Sequence, residues 1–327
     1  MNKERAPLNS NPAESPEHHP SHDGERPQWG ETGHKAGFVA IVGAPNAGKS
    51  TLLNYMLGEK VAIVTAKPQT TRHRILGVMT EPGAQLVFWD TPGLHAPGQI
   101  LLNREMMNRA LAALDDSDLA LWVVDGLRRG REHATALEIV SQNKNRPVVV
   151  ALNKTDSVSD KAELLPLIKE LEEAVSPRAI VPVSARNGDG VRALLDEVVG
   201  LLPENPPFYP EDTLTDQPER VIAAEMVREA VFKLTSQEIP YSTAVTIDEF
   251  KEESALISIS ATIHVEKESQ KGVIIGKGGA MLKKIGQTAR HNIERLVGSQ
   301  VFLKLFVRTT RDWSKKKSTL LEFGYGD

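Results

Sequence analysis

The eight residues Gly43-Ala44-Pro45-Asn46-Ala47-Gly48-Lys49-Ser50 constrain this chain more than any other stretch. They follow the apolar run Phe38 to Val42 and precede Thr51-Leu52-Leu53-Asn54, so a glycine loop has to join a strand to a helix. The spacing G-x-x-x-x-G-K-S has a mechanical reason. Its glycines let backbone N–H groups turn inward on an anion, and the helix N-terminus adds partial positive charge. In such a loop Lys49 reaches the outer phosphates of a nucleotide and Ser50 holds Mg²⁺.

Between residues 37 and 202 short apolar runs alternate with amphipathic stretches. Strands are expected at Phe38 to Val42, Arg74 to Met79, Gln85 to Trp89, Leu119 to Val124, Pro147 to Leu152 and Ile180 to Val183. Helices are expected at Lys49 to Leu57, Leu101 to Leu114, His133 to Asn143, Lys161 to Val175 and Gly190 to Leu202. This is an α/β layout with a mostly parallel sheet, whose ligands bind beyond the carboxyl ends of the strands. Only Thr80 to Ala84 separates the second and third runs, so those two form an antiparallel hairpin. Five prolines between Pro203 and Pro218 then mark a linker, taken as 203–219. From 220 to 327 the grammar changes to helix, two alternating strands, helix, strand, a small α+β domain. In the second strand Ala255, Ile257, Ile259, Ala261, Ile263 and Val265 share one face.

Asn153-Lys154-Thr155-Asp156 ends an apolar strand and chooses the base. A carboxylate at Asp156 accepts from the N1–H and exocyclic amine of guanine, whereas adenine has no donor at N1. Lys154 would lay its stem over the base, and Asn153 would brace the glycine loop. Asp90-Thr91-Pro92-Gly93 closes another strand, where Asp90 would hold Mg²⁺ and the Gly93 N–H would touch the γ-phosphate. In Gln69-Thr70-Thr71-Arg72 one threonine completes the metal shell, Thr71 in preference to Thr70. The nucleotide contacts are therefore expected from Gly43 through Thr51, from Asp90 through Gly93 with the adjoining Leu94, from Asn153, Lys154, Thr155 and Asp156, and from Ser184-Ala185, whose backbone reaches the guanine O6. Mg²⁺ falls to Ser50, Thr71 and Asp90. Lys49, Asn46, Thr71 and Gly93 form the expected catalytic set. Leu94 stands where related hydrolases often carry a Gln that orients water, and leucine cannot do so. Asn46 then has two readings: a plain loop residue, or one that holds K⁺ against the phosphates.

Gly276-Lys277-Gly278-Gly279 is a second glycine loop, expected to run from a strand into a helix that begins near Ala280. A G-x-x-G turn brings backbone against the sugar-phosphate of a single strand. Around it, from Lys267 to Lys317, thirteen Lys or Arg stand against three acids, a formal +10 in a chain whose net charge is -4. Such a patch calls for a polyanion. Ile275, Gly276, Lys277, Gly278, Gly279, Lys283, Lys284 and Arg290 are the expected RNA contacts, and Trp313 either stacks on a base or packs in the core. There is no Cys, which excludes disulfides and Cys-ligated metals and fits a reducing cytoplasm. No apolar stretch approaches the roughly 20 residues that span a bilayer. Residues 1–36, rich in Pro, Ser, His and Glu, read as a disordered tail whose His18, His19 and His22 are solvated or a metal tract.

Together GAPNAGKSTLLN, QTTRHRI, DTPGLH, NKTD, VSA, PYSTAV, GVIIGKGGAMLKKIG and DWSKKK resemble the Era family of bacterial GTPases over roughly residues 37 to 325. The resemblance implies a P-loop GTPase domain followed by a type II KH domain, with GTP or GDP and Mg²⁺ as ligands. It also implies a monomeric ribosome assembly factor that binds the 3′ end of small-subunit ribosomal RNA in the pre-30S particle. Some members associate peripherally with the inner face of the cell membrane. The family carries an apolar residue in place of the catalytic Gln, in agreement with Leu94. The tail of about 35 residues has no counterpart in the family pattern. The competing reading is an RNA-binding scaffold or chaperone whose nucleotide site is mainly structural. A P-loop kinase conflicts with NKTD and DTPG.

Overall fold

The computed structural model of the chain describes residues 33–96, 100–127, 130–143, 145–236, 238–253 and 256–325. Almost all of the expected tail, with His18, His19 and His22, lies outside the described residues, as does Ala255.

The first sheet contains β1 (Lys35–Val42), β2 (Ile75–Glu81), β3 (Ala84–Asp90), β4 (Leu119–Asp125), β5 (Val148–Asn153) and β6 (Ala179–Pro182), in spatial order β2-β3-β1-β4-β5-β6. All neighbours are parallel except β2 with β3, the expected hairpin. Strands β4 and β5 are buried at every position, which is why LALWVVD and VVVALN are nearly unbroken apolar runs: helices cover both faces. On one face α1 (Lys49–Leu57) and α5 (Val191–Leu201) press Leu52, Leu53, Leu194 and Val198 onto Val39, Ile41, Leu121 and Val123. On the other α2 (Leu101–Asp115), α3 (Arg131–Gln142) and α4 (Leu165–Val175) cover Ala40, Val42, Trp122 and Val124. Strand β1 has β3 as its neighbour on one side and β4 on the other, so the strand order reverses direction at β1. That switch opens a crevice at the carboxyl end of β1, where residue 43 begins.

The Pro-rich stretch 203–219 is held along the sheet rather than swinging free. The Val78 N–H donates to Leu214 O (2.8 Å), Thr215 Oγ1 donates to Leu76 O (2.6 Å), and Phe208 lies 5.0 Å from Phe38, ring centre to ring centre.

The second sheet, β7 (Ala244–Glu253), β8 (Leu256–Val265) and β9 (Gln300–Thr309), pairs β7 antiparallel and β9 parallel to β8. One face packs on α6 (Glu219–Leu234) and α8 (Ala280–Val297), where Ile285, Ala289 and Ile293 form the buried stripe expected from the sequence. The expected strand before the second glycine loop is instead a helix, α7 (Glu268–Ile275). The GVII run reads as a strand by its β-branched residues, but the buried Gln270 side chain accepts from the N–H groups of Glu266 and Lys267 (3.0 Å each) and starts a helix there. The loop is thus a turn between two helices. A last helix, α9 (Lys317–Glu322), closes the described chain.

Candidate functional site

Gly43 and Gly48 have φ of 146° and 103°, and a Cβ at either would lie 2.2 Å from Val123 O or Asn153 Nδ2 respectively, so neither position admits a side chain. At Gly93 a Cβ would meet Pro45 at 2.8 Å, which brings the DTPG turn against the first loop. Lys49 is buried, and its Nζ donates to Gly43 O (3.1 Å) and Ala44 O (3.0 Å). Burial lowers its pKa to about 8. Beside it Ser50 Oγ donates to Asp90 Oδ2 (2.5 Å) and lies 2.9 Å from Thr71 Oγ1, which also donates to that carboxylate (3.4 Å). The three residues expected at the metal are therefore brought together. Thr70 faces elsewhere, donating to Lys67 O (2.7 Å). Asp90 is fully buried, desolvation raises its pKa to about 6, and its Oδ1 has no hydrogen-bond partner. A buried, unpartnered carboxylate oxygen beside two hydroxyls suits a hard divalent cation such as Mg²⁺.

On the base side Asn153 Nδ2 donates to Ala47 O (2.8 Å) while its Oδ1 accepts from the Ala185 N–H (2.9 Å), tying the glycine loop to the segment after β6. Lys154 takes φ of 66° and donates to Asn46 O and Asp125 Oδ2, both at 2.7 Å. The Asp156 carboxylate is exposed and accepts from Ser184 Oγ (2.7 Å), a bond that holds its pKa below the usual carboxylate value. Thr155 Oγ1 donates to Val183 O (2.9 Å) and Thr91 Oγ1 to Ile41 O (2.8 Å), so both brace strands. Leu94 is wholly buried in the core and its N–H donates to Gly43 O (2.9 Å). Its side chain does not face the crevice.

A cavity of about 320 Å³ joins Pro45, Asn46 and Gly48 to Thr51 with Ile63 to Ala66, Gln69 to Thr71, Gly93 and Lys154. Its outer wall, the loop from Gly58 to Arg74, is anchored to the second unit by residues that the motif reading missed. Arg72, 1% exposed, donates to Thr243 O (2.7 Å), Tyr241 O (2.8 Å) and Pro240 O (3.2 Å). Its guanidinium carbon lies 5.6 to 5.8 Å from the rings of Trp313, Tyr325 and Phe232. On α6 the buried Glu229 accepts from the Val64 N–H (3.0 Å), Lys60 (2.5 Å) and Asn292 Nδ2 (3.3 Å), and Arg228 donates to Thr70 O. Lys67 donates to Phe232 O and Thr235 O. Leu102 and Met106 of α2 join Trp313, Leu320 and Phe323 in a shared apolar cluster. Trp313 is fully buried and donates to Ser242 O (2.9 Å), so it belongs to this core rather than to a stacked base.

At the second glycine loop Gly276, Gly278 and Gly279 all have positive φ (71°, 59° and 79°), and a Cβ on Gly276 would meet Met281 at 2.7 Å. A groove of about 450 Å³ runs from Gly279 along Leu282, Lys283, Gly286, Gln287 and Arg290 to Leu303 and Leu305 of β9. Lys277 and Gly278 stand exposed at its mouth, Lys284 is exposed outside the lining, and Ile275 is half-buried at the end of α7.

A glycine loop at the switch point of a doubly wound sheet, a DTPG turn, an NKTD segment and a GxxG turn between helices define a P-loop GTPase joined to a KH domain. A sequence model described as a 50S ribosome-binding GTPase matches residues 38–154, and one described as a KH domain matches residues 238–314. GTPase Era of Geobacter sp. (strain M21) is 51% identical over 292 residues, 89% of this chain and 98% of that protein. GTPase Era of Pseudomonas aeruginosa (strain LESB58) is 46% identical over 295 residues, 90% and 96%. Among solved structures, a point variant of Aquifex aeolicus Era bound to GDP and AlF₄⁻ aligns with a TM-score of 0.84 at 40% identity, covering 90% of this chain and 100% of that one. Era in complex with MgGDPNP and nucleotides 1506–1542 of 16S ribosomal RNA aligns at 0.85 and 40%, covering 90% and 99%. The chain belongs to the Era family of GTPases, enzymes that hydrolyse GTP.

Proposed function

We propose that this GTPase is a nucleotide-controlled RNA-binding switch that engages the 3′ end of small-subunit ribosomal RNA and assists assembly of that subunit. The observation that carries the reading is one loop with two attachments: Thr71 meets Ser50 and Asp90 at the phosphate end, and the adjoining Arg72 is buried among carbonyls of the KH domain. A change at the γ-phosphate is then felt directly by the RNA-binding unit. The complex of a relative with MgGDPNP and 16S rRNA supports the same pairing of ligands.

In this reading Gly43 to Ser50 cradle the phosphates, Lys49 neutralises the outer ones, and Asp156 and Lys154 hold guanine. Ser50, Thr71 and Asp90 would hold Mg²⁺, which would supply positive charge against the diphosphate that leaves. Water attacks the γ-phosphorus and the bond to the bridging oxygen breaks, giving GDP and phosphate. Because Leu94 is buried away from the crevice, Asn46 would hold K⁺ against the phosphates, and the ion would add charge stabilisation there. Faster turnover in KCl than in NaCl is expected, and equal rates remove that role. The GxxG turn and the groove along α8 take single-stranded RNA, with Lys277, Lys283, Lys284 and Arg290 on phosphates. The protein acts as a monomer in the cytoplasm on the pre-30S particle. No helix among the described residues is long and apolar enough to cross a membrane. Membrane contact, where it occurs, is peripheral.

RNA affinity measured with a GTP analogue, with GDP and without nucleotide tests the switch; identical affinities in all three would sink it. A scaffold with a merely structural nucleotide site would keep its cellular function in Lys49→Ala.

A further inference from the structure

Strand β9 presents two faces, and the groove beside α8 uses only one of them. Val301, Leu303, Leu305 and Val307 turn toward α8, whereas Phe302, Lys304, Phe306 and Arg308 turn outward and are exposed. Phe302 and Phe306 are 59% and 46% exposed, unusual for two large rings on one strand of a small sheet. They stand four residues apart, about 13 Å along the strand. Between them the Lys304 Nζ lies 5.0 Å from the centre of the Phe306 ring. Behind this stripe the register of β8 sets Ser258 beside Phe302, Ser260 beside Lys304 and Thr262 beside Phe306. Along β9 the outward face is therefore an aromatic-basic ladder, with Ser258 and Ser260 beside it and the Thr262 hydroxyl donating to Asp248.

We infer that this outer sheet face, centred on Phe302 and Phe306, is a second binding site for single-stranded RNA, continuous with the GxxG groove around the free edge of β9. The site rests on the reading of the KH domain as RNA-binding, but uses none of the groove residues. Aromatic rings exposed on a sheet and spaced by cations suit successive bases and their phosphates, because every base offers a π-face. Lysine alone at a sheet edge guards against strand pairing, but exposed phenylalanines flanking it work against that purpose. Strand β9 is the edge of the sheet, so a chain leaving Leu303 and Leu305 reaches Phe302 and Phe306 by crossing one strand. Both cations of the stripe, Lys304 and Arg308, lie on β9, while the acids on the same side belong to β7, two strands away, where Asp248 accepts from Thr262 Oγ1 (2.7 Å) and Glu249 pairs with Lys251 (2.5 Å).

The test titrates the full-length protein with fluorescein-labelled unstructured RNAs of four and twelve nucleotides. The shorter matches the groove and the longer reaches both faces. Phe302→Ser combined with Phe306→Ser is expected to leave the short RNA and GTP hydrolysis unchanged and to weaken the long RNA at least tenfold, each stack being worth roughly 5- to 150-fold. Trp at both positions should keep the tight binding. Lys304→Ala with Arg308→Ala should lower the slope of log affinity against log salt by about 1 to 2. Unchanged long-RNA affinity in the serine pair overturns the inference, as does equal loss on both lengths. Loss of binding only to anionic phospholipid vesicles overturns it too, assigning the face to a lipid surface. Gly278→Asp reports separately on the groove: if it spares both RNAs the groove reading fails, while the phenylalanine result still stands or falls alone.

Discussion

Replacing Arg72 by Met tests whether the loop carries information between the two domains. The guanidinium donates to three KH-domain carbonyls at 2.7, 2.8 and 3.2 Å. Hydrogen bonds from a charged donor contribute about 1.5–3 kcal/mol each. Against them stands the cost of burial, which lowers the Arg72 pKa to about 10, roughly 3 kcal/mol. The balance, together with carbonyls left unpaired in the variant, puts the loss of domain docking at about 3 kcal/mol, near the range for breaking a buried charged contact. That is roughly a hundredfold change in the docked population, comparable to a whole allosteric coupling energy. Methionine keeps the apolar contacts with Trp313, Tyr325 and Phe232, so each domain should still fold. The assay is RNA affinity with a GTP analogue and with GDP, alongside GTP turnover and thermal melting. The expected result is a ratio of affinities that collapses toward one, turnover within a few-fold of wild type, and melting that separates into two transitions. A variant that keeps its nucleotide-dependent RNA affinity would refute the argument that Arg72 transmits the state of the loop.

Two further outcomes follow from the phosphate end. Asp90 is a carboxyl whose folded pKa, about 6, lies above its ordinary 3.8, so the folded protein binds the proton more tightly than the unfolded chain. The associated stability is fully present below about pH 4 and is lost as pH rises through 6, a cost of about 3 kcal/mol at neutral pH. In EDTA the wild type should therefore melt at a higher temperature at pH 5 than at pH 7.5, Asp90→Asn should remove most of that difference, and the variant should lose Mg²⁺-dependent GTP binding. A wild-type melt independent of pH across that window contradicts the assignment. For Gly48→Ala, the added Cβ at φ 103° meets Asn153 Nδ2 at 2.2 Å, so the Asn153 to Ala47 bond must give way. A loss of about 1–3 kcal/mol is expected, read as a fall in melting temperature and weaker binding of labelled GTP. Unchanged melting would show that the loop tolerates the side chain.

The legible parts of this protein are those whose reasons are local. Strand-loop-helix punctuation around residues 43–50 predicted α1 at Lys49–Leu57, the bounds it has, and the apolar runs predicted all six strands of the first sheet. Sequence favours Thr71 over Thr70, but only the fold shows how they differ: the Thr71 hydroxyl meets Ser50 and Asp90 while the Thr70 hydroxyl donates to Lys67 O. Helix α7 went unread because Val273, Ile274 and Ile275 are good strand formers, and the deciding contact is a single Gln270 side chain folded back on the backbone. Leu94, which adjoins DTPG in sequence, is buried in the cluster that includes Met107 and Ala110 of α2, packing that adjacency in sequence does not report.

Sequence alone determined that the chain is built around a phosphate-type loop, because glycines at fixed spacing shape the loop they stand in and the lysine and serine that follow open the helix beside it. Tertiary structure alone decided how that chemistry is connected. Arg72 and Thr243 stand 171 residues apart, Glu229 and Val64 165 apart, and nothing in either local pattern names the other. Such contacts arise when two independently patterned units dock, and a buried guanidinium or carboxylate finds its partners in whatever carbonyls and N–H groups the facing surface leaves unpaired.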